Sequence, residues 1–119
     1  MVSGRNSFPK IKEGMTVVVN LHSPPERLWG LLTDISAAGI QIRGISVSTF
    51  EEWVSSILGQ DRNVDLTSAF FPMWRVERMS LDETMGEILS LGEEFRARIG
   101  VTLQEYLGHS PRQRKDTRS

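Results

Sequence analysis

The chain has 119 residues, ordinary apolar (39%) and charged (24%) content, and a formal net charge of −1. That length supports one domain with one modest core, and the near-zero charge leaves no global field to draw the chain to nucleic acid or a membrane. There is no cysteine, which excludes disulfides, thiol nucleophiles and thiolate metal sites, and no apolar run approaches the roughly 18 residues of a membrane helix.

Residues 1–12 are polar, hold Gly4 and Pro9, and read as a flexible lead-in without the apolar segment of a secretory signal. A cytoplasmic, bacterial-type protein with no membrane partner is the expectation. Residues 14–22 alternate β-branched and other side chains and predict a first strand, with Met15, Val17, Val19 and Leu21 on one face. Ser23-Pro-Pro-Glu26 predicts a turn, because two prolines remove donors and fix φ. Residues 27–34 and 39–46 predict two more strands about a tight turn ending at Gly39.

Ser48 with Glu51 and Thr49 with Glu52 have capping-box spacing. Phe50, Trp53, Val54, Ile57 and Leu58 then recur at helical spacing and predict a helix over 49–58, ended by a left-handed Gly59. Residues 60–66 read as a polar loop, and 67–72 and 73–81 as two strands bent at Pro72. A bulge near Glu77 and Arg78 is expected to bring Trp74, Val76, Met79 and Leu81 inward. Residues 83–108 read as helical. Ser90 with Glu93 and Thr102 with Glu105 cap two helices, Leu91, Phe95 and Ile99 form a stripe, and Gly100 separates them. Residues 109–119 form a basic tail, read as flexible.

The order β-β-β-α-β-β-α-α predicts a mainly β, α+β fold: a five-stranded SH3-like barrel over 13–82 with an inserted helix, followed by C-terminal helices. A closed barrel removes exposed strand edges, and Gly30, Gly39 and Gly44 suit its curved corners.

The run Asp34-x-Ser36-x-x-Gly39 resembles the second signature of PilZ domains. That resemblance implies a turn contacting cyclic di-GMP through Asp34, Ser36 and Gly39. The family's Arg-x-x-x-Arg element lies upstream; here that spacing occurs at Arg114 and Arg118. A second resemblance, over about residues 14–82, is to Sm-like domains of the Hfq type. Leu28-x-Gly30-x-Leu32 looks like the start of the first Sm motif, and Phe70-Phe-Pro-Met-Trp-Arg-Val76 like the second. It implies a barrel that assembles into a ring and binds RNA, although Ser36 stands where that family carries an aspartate.

No residue pattern points to catalysis, a cofactor or a metal. His22 and His109 share no ligand spacing. Ser23 beside His22 is not expected to pair with it, since neighbours on a strand face opposite ways. Glu51, Glu52, Glu93 and Glu94 suit first helical turns, and Asp82 and Glu83 close a strand. The aromatic residues are more informative. Trp29 lies out of phase with Leu28, Gly30 and Leu32, so either the helices cover a second apolar face or Trp29 faces outward. The expected function is a non-catalytic adaptor or regulatory module that binds another protein through Trp29, Arg43, Phe71, Trp74, Arg75 and Arg78. A cyclic di-GMP sensor and an RNA binder are the alternatives.

Overall fold

A computed structural model describes residues 10–60 and 65–108. The segment before residue 10, part of the polar loop, and the tail with His109, Arg114 and Arg118 lie outside the described residues. Five strands, β1 (Thr16–Leu21), β2 (Glu26–Ser36), β3 (Gly39–Ser46), β4 (Thr67–Pro72) and β5 (Val76–Leu81), form one antiparallel sheet in the order β4-β3-β2-β1-β5. A 3-10 turn (Val47–Thr49) runs into α1 (Phe50–Leu58), and α2 (Leu91–Ile99) and α3 (Leu103–Gly108) follow the sheet. This is the expected α+β element order.

Strand alternation places apolar side chains on both sheet faces. One core holds Val17, Val19, Leu21, Leu28, Leu32, Ile40 and Ile42. The other packs Trp29 and Ile45 beneath Phe50, Trp53, Val54, Phe95, Leu103 and Leu107 of the helices. Trp29 is 0% exposed, so it presents nothing to a partner, which corrects its place in the expected docking surface. Its side chain lies out of phase because the second face is a second core.

The β5 register against β1 shifts between Asn20 and Leu21, which makes Glu77 the extra residue of a bulge. Val76, Met79 and Leu81 pack inward as expected. Trp74 does not join them: Met73–Arg75 is a 3-10 turn, not strand, and it leaves Trp74 64% exposed.

The helix termini follow the predicted spacing in two of three places. The Ser90 hydroxyl accepts from Glu93 N at 3.0 Å, and Gly100 ends α2 at φ 103°. Thr102 and Glu105 exchange both bonds of a capping box, at 2.9 and 3.1 Å. The boxes predicted at Ser48 and Thr49 do not form. Ser46 caps the preceding 3-10 turn instead, and the Thr49 hydroxyl donates to the Ser46 carbonyl. Gly59 has φ −87°, and Gln60 takes the left-handed conformation at φ 61°.

Gly30 and Gly44 face each other across β2 and β3. A Cβ on Gly44 would stand 2.2 Å from the Trp29 carbonyl oxygen, a backbone atom that cannot step aside. Gly44→Ala is expected to lower stability by about 2 kcal/mol, as overpacking does, read as a fall in the urea midpoint. Gly59→Ala, whose nearest contact is 3.4 Å, is the matched control and is expected to cause no loss.

Candidate interaction site

The link between β4 and β5 shapes the most exposed aromatic corner of the described chain. Pro72 ends β4 opposite Gly39, and Met73 N donates to the Ala38 carbonyl at 2.9 Å. The 3-10 turn is therefore tied to the β2–β3 hairpin on one side. Arg75 ties it on the other. Its Nε donates to the His22 carbonyl at 2.9 Å, and a terminal nitrogen donates to the Pro24 carbonyl at 3.2 Å and lies 3.6 Å from Glu26. The guanidinium also lies 5.8 Å from the Phe71 ring centre, a cation–π arrangement.

With both neighbours held, Trp74 projects outward. Among the described residues its one ring contact is an edge approach to His22 at 6.3 Å between centroids. Phe70, 54% exposed, lies nearby with its ring across Gly39, where a Cβ would meet it at 2.7 Å. Met73 is also among the exposed large apolar residues. Three apolar side chains are thus held at the surface by a hydrogen-bonded turn.

The expected docking residues separate accordingly. Trp74 is exposed as the expectation requires. Arg75, with its side chain 17% exposed, is half-buried and engaged by bonds within the fold. Phe71 is half-buried against the inner core beside it. Arg43 lies on the helix-side face, opposite Leu31 and Ser68. Arg78 is exposed and pairs with Asn20, whose other neighbour is Arg27. Trp74, Arg75 and Arg78 share one end of the sheet; Arg43 and Trp29 do not join them.

In the β2–β3 turn, the Ser36 hydroxyl accepts from Ala38 N at 3.2 Å. Ser36 therefore helps to shape the turn. Asp34 is exposed, while Gly39 is buried against the Phe71 carbonyl. His22 Nδ1 and Ser23 Oγ do meet, at 3.1 Å, contrary to the strand argument. The chain has left the strand by then, with Ser23 at φ 59°.

Sequence reasoning missed the weight of Asp82. Its Oδ1 accepts from Leu91 N at 3.0 Å, and its Oδ2 accepts from Gly92 N at 2.8 Å and Trp29 Nε1 at 2.9 Å. Of the adjacent pair Phe70 and Phe71, which cannot both face one core, the expectation placed Phe71 outward, whereas Phe70 is the exposed one and Phe71 packs against the core; Met73 was not among the expected docking residues. No helix among the described residues is long and apolar enough to cross a membrane. No protein-family model, curated protein or solved structure matches this chain.

Proposed function

We propose that the chain is a non-catalytic binding module built on a small SH3-like barrel, and that it docks another protein through the β4–β5 corner. Barrel closure is supported by the length of that link. In a flat sheet β4 and β5 would stand four strand spacings apart, about 19 Å. One 3-10 turn joins them, spanning about 8 Å from Pro72 to Val76. A curled sheet accounts for so short a link between its two edge strands.

The observation that carries the functional reading is Trp74, 64% exposed on a turn whose backbone is tied on both sides. Tryptophan is the residue most enriched among interface anchors, and a rigid support reduces the ordering needed on binding. Trp74→Ala is expected to move the thermal midpoint by no more than about 2 °C, while weakening partner binding about 30-fold or more, the range of an anchor residue. A photo-crosslinking residue at Met73, used in cells of the source organism, captures the partner for identification. Titration of the purified partner with the parent chain and Trp74→Ala then decides. Equal affinities, or no specific adduct, overturn the reading. Arg75→Glu is expected to destabilise the fold itself, because it removes the bonds to His22 and Pro24 and sets a second acid beside Glu26.

Cyclic di-GMP sensing is the second reading. It is favoured by the exposed Asp34 and Ser36 at a hairpin whose Gly39 lies under the exposed Phe70 ring. Calorimetric binding of cyclic di-GMP that Ser36→Ala reduces would support it. A ring-shaped oligomer binding RNA with a steep salt dependence would instead favour the Sm-like alternative.

A further inference from the structure

On the helix-side face, beyond the edge of the helix layer, β1, β2, β5 and the segment entering α2 line a groove of about 240 Å³. Arg27, Asn20 and Arg78 stand side by side across its floor, since Asn20 pairs with both arginines in register. We propose that this groove binds the phosphate group of a small organic phosphate, held between Arg27 and Arg78.

The two arginines sit on strands that flank β1, so their Cα atoms are about 10 Å apart. Like charges at that spacing repel one another, and flexible arginine side chains can converge on an anion placed above Asn20. Among the described residues neither arginine has an ion-pair or side-chain hydrogen-bond partner. This contrasts with Arg75, Arg96 and Arg98, each of which is paired with an acid. Two guanidinium forks match phosphate oxygens geometrically, and the Asn20 amide and Ser80 hydroxyl supply neutral donors in the same groove.

Two acids also line the groove. Both oxygens of Asp82 are bonded to Trp29 and the first amides of α2, which fix its position while its negative charge remains. Those helix amides are therefore not available to a ligand. Glu83 is exposed, and with Asp82 it is one of two lining carboxylates whose charge opposes an incoming anion. The remaining wall, Val18, Val47, Leu89 and Leu91, is apolar and suits the carbon portion of the ligand. The volume lies just below the roughly 300 Å³ of the smallest drug-sized sites. It accommodates a sugar phosphate.

The test uses the full chain, with inorganic phosphate, sulfate, ribose 5-phosphate and ribose as probes, read by calorimetry and by NMR shifts of the arginine Nε–H groups. Saturable binding of ribose 5-phosphate is expected, tighter than inorganic phosphate, with none for ribose. Arg27→Ala and Arg78→Ala are each expected to weaken it about 10-fold, the scale of a charge-assisted bond. Glu83→Gln is expected to tighten it about 3-fold by removing one repelling charge. Thermal midpoints should not move, because both arginines are exposed. Trp74→Ala should leave this binding unchanged, which separates the groove from the docking corner. Absence of saturable binding, binding indifferent to both arginine variants, or equal response to phosphate and sulfate that vanishes with salt overturns the proposal.

Discussion

Trp53→Ala is expected to lower stability by about 4 kcal/mol, in the range for removing a buried aromatic side chain, and to shift the thermal midpoint down by about 20 °C. Trp53 is fully buried at the centre of the helix layer. Its ring stacks on Phe95 at 4.9 Å and 10°, and it meets Trp29, Phe50 and Tyr106 at 5.8, 6.2 and 5.9 Å. Truncation leaves a cavity bounded by α1, α2 and the sheet, whose walls are large rings that cannot collapse into it. A domain of this size has total stability of about 5–15 kcal/mol, so much of it depends on this one side chain. Trp53→Phe is expected to be far milder. It keeps a ring against Phe95 and removes the indole N–H, which is buried and lacks a hydrogen-bond partner among the described residues. Thermal unfolding followed by circular dichroism ranks the two variants. Equal losses would mean that ring packing is not what Trp53 contributes.

Asp82→Ala is expected to lower stability by about 3 kcal/mol, because it leaves three donors without their acceptor, the Trp29 indole and the amides of Leu91 and Gly92. Asp82 follows directly after β5, bonds through its own N–H to the Thr16 carbonyl, and sits at the start of α2. A carboxylate there also complements the positive end of the helix. One residue thus joins three levels of the fold: the sheet end, the buried indole of the second core and the helix that covers it. Ser90→Ala removes only the bond to Glu93 N and is expected to lower stability by about 1 kcal/mol, a usual loss for an N-cap. Chemical denaturation of both variants, with Trp29 burial followed by fluorescence, should show the larger effect at Asp82. A smaller effect at Asp82 than at Ser90 would show that α2 docks through its apolar stripe alone.

The strands were legible because each carries its own short-range pattern. Residues 67–72 are strand as expected, and β1, β2 and β3 lie within a few residues of the predicted bounds. The caps at Ser90 and Thr102 were legible for the same reason: a capping bond joins atoms three residues apart, so spacing alone describes it. At Ser48 and Thr49 two overlapping boxes competed with a 3-10 turn capped by Ser46, and spacing does not choose among local bonds of similar strength. The docking corner was legible only in part. Arg78 and Trp74 are exposed, as a docking role requires, but the strand pattern had also turned Trp74 inward, and the surrounding apolar contacts, Phe70 and Met73, follow from how β4 ends.

What the sequence determined by itself was therefore the series of strands and helices and the presence of more apolar aromatic surface than one sheet face can bury. Which aromatic ring went inside was decided by the tertiary structure. Trp29 and Trp74 look alike in local pattern. Trp29 is buried because helices more than 20 residues away in the chain return over its face, and Trp74 is exposed because Arg75 reaches back 53 residues to the His22 carbonyl. Asp82 became a junction in the same way, by meeting an indole 53 residues earlier. Local periodicity records which hydrogen bonds and faces a segment can form; the partner that covers a face is set by contacts between distant segments, which exist only once the chain has folded.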